Sequence, residues 1–297
     1  MSILELKMDG KVAPVGDFTV TRALPQVARR FVGPFCFVDH MGPHAAVGSV
    51  DGGVGPHPHI GLSTVTYLFE GEVLHRDSLG TEQLIRPGDV NWMTASRGIV
   101  HSERTPAHLV GKPTSMHGLQ VWVGLPTALE EGDPSFQHAP KSSLPRLEEN
   151  GVNACVVLGD YLGEKSPVLV SSPLFYVVAE LEPGARLELS AQFPERAVYV
   201  VDGSVMLGDD TLKGRQVGVL KTGDEGTVTA LTSTKLAFFG GEPLDGPRFM
   251  MWNFVSSRKE RLEQAKRDWI DRRFPLVPGD EHDRTPFPGE NAERSKP

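Results

Sequence analysis

The chain has 297 residues, enough for two domains of ordinary size, and its 39% hydrophobic and 23% charged residues are the mix of a soluble globular protein. The formal net charge of −8 gives no overall electrostatic basis for direct nucleic-acid binding, although Arg29-Arg30 and Arg258–Arg267 are locally basic. No apolar run approaches membrane-spanning length, and Met1-Ser2-Ile3-Leu4-Glu5 lacks the regions of a secretory signal, so a cytoplasmic protein is expected, with Cys36 and Cys155 as buried thiols rather than a disulfide.

Residues 1–23 read as short strands around the turn Met8-Asp9-Gly10, and Leu24–Arg30 as a polar connector. Phe35-Cys36-Phe37-Val38 is a compact apolar strand ended by Asp39 and the Gly42-Pro43 turn. A glycine-rich loop then leads to His57-Pro58-His59. Pro58 donates no backbone hydrogen bond, which places this segment at a sheet edge, a strand start or a bulge. Thr64–Phe69, Val73–Asp77, Asn91–Ala95, Gly98–His101 and Leu119–Val123 are further short strands punctuated by Gly and Pro, the pattern of an all-β sandwich or barrel.

Pro126–Gly151 is a polar connection, after which strands restart at Val152–Leu158 and Leu174–Leu181. An internal repeat follows. Tyr199–Val205 echoes Tyr67–Val73, and Leu220–Asp224 echoes Ile85–Asp89. The second copy has Phe193-Pro194-Glu195-Arg196 for His-Pro-His and Lys235-Leu236-Ala237 for His101-Ser102-Glu103, so one metal site per chain is expected. Ser257–Asp271 reads as a helix with a Ser257/Glu260 capping box and Leu262, Ala265 and Trp269 on one face. The proline-rich tail beyond Phe274 reads as irregular and mobile at its end. The expected division is therefore 1–135, a metal-binding β-domain; 136–275, a second copy without ligands; and 276–297, an irregular tail.

Residues two apart on a strand share a face, so His57 with His59, and His101 with Glu103, can converge on one point from facing walls. Three imidazoles and a carboxylate suit a first-row transition metal with coordination positions to spare, not Mg²⁺ or Ca²⁺. Fe²⁺ fits best, with Mn²⁺, Co²⁺, Ni²⁺, Cu²⁺ and Zn²⁺ as alternatives. His40, His44, His75 and His117 lack a partner at ligand spacing and read as structural or supporting, with His75 and Asp77 at the mouth of the first barrel.

These motifs, together with Val32-Gly33-Pro34-Phe35, Asp39-His40-Met41-Gly42-Pro43, Arg86-Pro87-Gly88-Asp89-Val90, Trp92-Met93-Thr94-Ala95, Gly98–Glu103 and Trp252–Ser256, resemble the pirin family of the cupin superfamily over nearly the whole chain. The resemblance implies a bicupin: two tandem antiparallel β-barrels with a C-terminal helix, and iron held by His57, His59, His101 and Glu103. The wider cupin motif has a glutamate where this chain has Ser63 or Thr64, so Glu103 is ligand, base, or both.

Bacterial pirin-like proteins are associated with quercetin 2,3-dioxygenase activity, which implies an iron-dependent dioxygenase acting on a flavonol or similar enol with O₂. Glu103 is then the candidate base, and Phe35, Phe37, Trp92 and Met93 are candidate pocket residues. The alternatives are a metal-dependent regulatory protein working through protein contacts, such as a transcriptional co-regulator, and a bicupin with a purely structural metal.

Overall fold

The structure, a computed structural model, describes residues 2–15 and 18–290. Its strands begin with β1 (Leu4–Asp9), β2 (Lys11–Val15), β3 (Phe18–Leu24) and β4 (Phe35–Val47). Next come β5 (Gly53–His59), β6 (Leu62–Glu70), β7 (Val73–Asp77), β8 (Glu82–Ile85), β9 (Val90–Thr94), β10 (Ile99–Arg104) and β11 (Pro113–Gly124). β12 (Ser135–Ala139), β13 (Arg146–Glu149), β14 (Val152–Tyr161) and β15 (Glu164–Lys165) lead to the second set. That set is β16 (Leu174–Leu181), β17 (Arg186–Leu189), β18 (Glu195–Asp202), β19 (Ser204–Leu207), β20 (Asp210–Lys213), β21 (Gln216–Leu220), β22 (Gly226–Ala230) and β23 (Thr234–Gly241). A hairpin, β24 (Phe249–Met251) and β25 (Phe254–Ser256), precedes the helix α1 (Lys259–Ile270).

Two compact units emerge, and each takes chain from both halves. One comprises residues 15–18, 41–138 and 245–297; the other comprises 1–14, 19–40 and 139–244. The division expected after residue 135 thus falls after 138, and each terminal segment belongs with the barrel more distant in sequence. The first unit carries a sheet in the order β5–β10–β7–β8 and a larger one containing β12–β9–β6–β11–β4. The second repeats this as β17–β22–β19–β20 and β1–β21–β18–β23–β16–β14–β13. The same strand order twice is the bicupin architecture. β5 lies at a sheet edge, where Pro58 forfeits no ladder bond.

The repeat aligns through its turns. Gly71 (φ 87) and Gly203 (φ 85) close equivalent hairpins, where a Cβ would lie 2.1 Å from the Ser115 carbonyl oxygen and 2.4 Å from that of Ser233. From there the pairing corrects two equivalences read from sequence. Leu220–Asp224 follows β21, whereas Arg86–Asp89 precedes β9, so those segments are not counterparts. Nor are Phe193–Arg196 and Lys235–Ala237 the replacements for the histidine motifs. They lie at the start of β18 and on β23, the counterparts of β6 and β11. A shorter hairpin between β19 and β20 shifts the linear spacing.

His57 stands ten residues before Tyr67, and Leu189 ten before Tyr199. His101 pairs with His57 and Glu103 with His75; Gly226 pairs with Leu189 and Val228 with Leu207. In the second barrel, then, Leu189, Ala191, Gly226 and Val228 occupy the places of His57, His59, His101 and Glu103. Leu189, Leu207 and Val228 are buried in a wholly apolar core with Val156, Val177, Val200, Leu236 and Phe238. The lumen that is polar in one barrel is filled with hydrocarbon in the other.

Helix α1 buries Leu262, Ala265 and Trp269, the face expected from its periodicity. Its start differs. Arg258 is the N-cap and no side chain caps it. The Ser257 hydroxyl donates instead to Glu130 Oε2 at 2.8 Å, and Glu130, buried against Arg248, accepts the Ser257 amide as well. Cys36 and Cys155 are buried and are not joined in a disulfide. Among the described residues no helix is long and apolar enough to cross a membrane.

Among the described residues the tail, 275–290, carries no helix or strand, yet residues 277–287 are firmly attached. Val277 and Phe287 join Ile60, Val100, Phe254 and Trp269 in an apolar cluster. The Thr285 amide donates to the Pro56 carbonyl at 2.8 Å, and Asp280 takes Arg104 Nε and Nη2 at 2.8 and 3.1 Å, with Asp283 on the same guanidinium. Mobility expected of the chain's last residues falls on 291–297, outside the described residues. Because Arg104 is buried, the double substitution Asp280→Ala/Asp283→Ala strands its charge. The unfolding free energy measured in urea should fall by about 3 kcal/mol. A loss below about 1 kcal/mol, typical of exposed pairs, would mean the tail is not held by these ions.

Candidate metal centre

β5 and β10 are antiparallel neighbours, and the register places His101 directly opposite His57, with His59 two residues along the same face. The three imidazoles are buried and offer ligand nitrogens that all lie within 4.8 Å of one another. Among the described residues they form the one group of three or more His, Cys, Asp or Glu side chains so gathered. Ring centroids are 4.3 Å apart for His57 and His101, and 5.0 to 5.1 Å for the other pairs.

Each ring has its Nδ1 engaged. His57 Nδ1 lies 2.8 Å from the Gly55 carbonyl oxygen, His59 Nδ1 3.1 Å from that of Asn253, and His101 Nδ1 3.4 Å from His75 Nδ1. A carbonyl only accepts, so Nδ1 of His57 and of His59 carries the proton and each Nε2 presents a lone pair. His101 Nε2 is buried without a hydrogen-bond partner. An orphaned buried nitrogen facing two lone-pair donors is what a cation would satisfy, so these residues fit a metal ion.

Electrostatics agree. Burial lowers His57 to about 4, with the electrostatic effects of His75 and Arg104 adding to it against the Gly55 hydrogen bond. Burial and the neighbouring imidazoles hold His59 and His101 well below the ordinary value. All three are therefore neutral at pH 7, the form that ligates. The metal-free protein should consequently weaken in acid. Below pH 6.5 the unfolded chain takes up protons that the folded one refuses. Stability present above that pH is lost as the pH falls toward 4. His57 alone accounts for on the order of 3 kcal/mol, at about 1.4 kcal/mol per pH unit. Urea midpoints that stay level from pH 7 to 4.5 would contradict this.

Glu103 does not join the imidazole group. A register shift interrupts the β10–β5 ladder between His101 and Glu103, and Glu103 Oε1 accepts from Thr66 Oγ1 at 3.2 Å. Burial raises its carboxyl above the ordinary value, against the opposing effects of His75 and Thr66. Glu103 and Thr66 line a cavity of about 460 Å³ whose other walls include Met41, Val54, Val73 and Met116. None of the four pocket residues expected from sequence lines it. Phe35 packs on Tyr176 and Phe239, in the unit that holds the second barrel, and Phe37 lies under the Arg22 guanidinium. Trp92 is fully buried on β9, and Met93 packs with Ala95, Ile99 and Phe136. Sequence reasoning missed Thr66 and Trp122, which approaches His59 edge to face at 5.0 Å. Alternation along β6 and β11 into the lumen was the available signal. It also missed Asn253, whose contribution is a backbone carbonyl and leaves no trace in side-chain pattern.

Two barrels of one strand order, one holding buried imidazoles, define a bicupin. The chain belongs to the pirin family: residues 17–123 match Pirin and residues 176–275 match the Pirin C-terminal cupin domain. It is 47% identical to a pirin-like protein of Caulobacter vibrioides over 96% of this chain and 100% of that one. It is also similar to two solved structures named quercetin 2,3-dioxygenase from Acinetobacter baumannii. One has 35% identity and a TM-score of 0.87, over 97% of this chain and 96% of the other. The second has 30% identity and a TM-score of 0.85, over 92% and 98%. The chain is thus of a cupin dioxygenase-like family.

Proposed function

We propose that the N-terminal barrel is a mononuclear iron centre that dioxygenates a flavonol or related enol, in the manner of a quercetin 2,3-dioxygenase. The observation that supports this reading is that Glu103, two residues along β10 from the buried His101, also lines a largely apolar cavity of about 460 Å³. That volume lies in the range of small-molecule sites. The names of the Acinetobacter structures support the choice of substrate class.

His57, His59 and His101 would hold the ion, and Glu103, two residues from His101 on β10, would act as the base. When bound, Fe²⁺ supplies the affinity for dioxygen and for an enolate oxygen that side chains lack. Mn²⁺, Co²⁺, Ni²⁺, Cu²⁺ or Zn²⁺ are chemically compatible with the same donors. The chain's own contribution is binding and proton transfer. Met41, Val54, Val73 and Met116 take the flat aromatic body, and water leaves that surface. The enol hydroxyl then meets Glu103, whose raised pKa makes it a better acceptor for that proton than an exposed carboxylate. Thr66 steadies the carboxylate oxygen it donates to.

Anaerobic titration of a flavonol into the iron-loaded protein tests this reading. Ionisation of the enol shifts flavonol absorption to longer wavelength, and the shift should saturate at one flavonol per chain. Met116→Trp should abolish it by filling the cavity while iron stays bound. Absence of a shift with every flavonol tried, at full iron loading, would remove the dioxygenase reading.

A further inference from the structure

Beyond the three imidazoles, a line of buried polar groups continues away from His101. Its far end is Asp77, fully buried on β7. Asp77 Oδ1 accepts from the backbone amides of Leu79 at 2.9 Å and Thr81 at 3.1 Å. Its Oδ2 lies 3.1 Å from His75 Nε2. His75 is buried, stacked on Phe136 with centroids 4.5 Å apart, and its Nδ1 is 3.4 Å from His101 Nδ1. His101 Nε2, at the near end, has no partner and faces the cluster.

We infer that Asp77 and His75 are positioning residues that set the tautomer of His101 and so aim its lone pair at the metal position. This rests on the metal reading given above. The order of protons follows from what each atom can do. A carboxylate only accepts, so His75 Nε2 carries a proton and donates it to Asp77. An imidazole that carries its one proton on Nε2 has its lone pair on Nδ1, and there His75 accepts from His101 Nδ1–H. The remaining lone pair of His101 sits on Nε2. His57 and His59 reach the same result through backbone carbonyls, which nothing but backbone movement can change. His101 is the one ligand candidate whose proton is placed by side chains, and substitution can reverse it.

The chain supplies its own comparison. In the second barrel, where apolar residues replace the imidazoles, Leu207 stands in the place of His75 and is fully buried. A histidine serving only the fold of this β-arrangement would not be exchanged for leucine along with the ligand positions. Phe136 adds to the same end, since its stacking fixes the plane of the His75 ring.

Asp77→Asn tests the inference. The two backbone amides still require an oxygen, so the carboxamide turns its NH₂ toward His75 Nε2. His75 must then accept there and donate from Nδ1. His101 accepts on Nδ1 and carries its proton on Nε2, where it blocks the ion. In the metal-free wild type, ¹⁵N-detected NMR of the imidazoles should find the His101 proton on Nδ1, and in Asp77→Asn on Nε2. Anaerobic competition of Fe²⁺ against a chelator should show affinity falling 10- to 100-fold in the variant. His75→Phe, which keeps the ring stacking without an acceptor, should weaken Fe²⁺ comparably. A wild-type His101 protonated on Nε2 would overturn the inference even if neither variant folded. So would unchanged affinity in both variants. Wild-type protein with the stated tautomers that binds no Fe²⁺ would instead overturn the metal reading and leave the proton order standing.

Discussion

Glu103→Gln should lower flavonol turnover per bound iron by about 10²- to 10⁴-fold, the usual contribution of a general base, while iron content stays close to wild type. In the proposed reading Glu103 is the base and the three imidazoles hold the ion. The carboxylate is turned toward Thr66 and the cavity, and the imidazole nitrogens gather without it. Glutamine keeps the shape and can still accept from Thr66, but it cannot take the enol proton. His101→Ala is the complementary control: it removes an imidazole and no base, so loss there should track iron content. Single-turnover rates normalised to iron separate the two outcomes. Equal rates for Glu103→Gln and wild type at saturating iron would remove the base and require a substrate that arrives deprotonated.

The double substitution His57→Ala/His59→Ala should take the ion content from one per chain to near zero. Two of the three gathered nitrogens disappear, and the second barrel offers nothing in exchange, because Leu189, Ala191, Gly226 and Val228 stand at its equivalent positions. The fold should persist. β5 is an edge strand held from outside the lumen by Thr285 on Pro56 and by Ile60 in the apolar cluster with Phe254. Elemental analysis after gel filtration, with circular dichroism as the check on folding, measures both. Two ions per wild-type chain, or an ion retained by the folded double variant, would contradict a single site in the first barrel.

Much of this arrangement was legible in the residues. His57-Pro58-His59 has spacing two, strand geometry alone sends such a pair to one face, and both imidazoles lie in the gathered group. Pro58 marked an edge, and β5 is one. Leu262, Ala265 and Trp269 marked the buried face of α1.

What escaped depends on contacts between distant segments. Ser257 was a plausible helix cap until Glu130, distant in sequence, claimed its hydroxyl. Phe35 and Phe37 read as pocket residues because they are aromatic. β4, however, belongs in its first half to the unit of the second barrel, and its aromatic rings pack there. The tail read as loose because it has no periodic pattern. It is held by single contacts, Asp280 to Arg104 and Thr285 to Pro56, that periodicity does not encode. The repeat was visible in Tyr-to-Gly spacing, but a shorter hairpin in the second copy displaced the linear match by one strand.

Oxygen consumption by the anaerobically iron-loaded protein, started by adding a flavonol and followed with an electrode, bears most directly on the central claim. The account predicts uptake of one O₂ per flavonol consumed, continuing over many turnovers, absent without iron and absent in His57→Ala/His59→Ala. Full iron occupancy at His57, His59 and His101 with no uptake for any flavonol or simpler enol would contradict it.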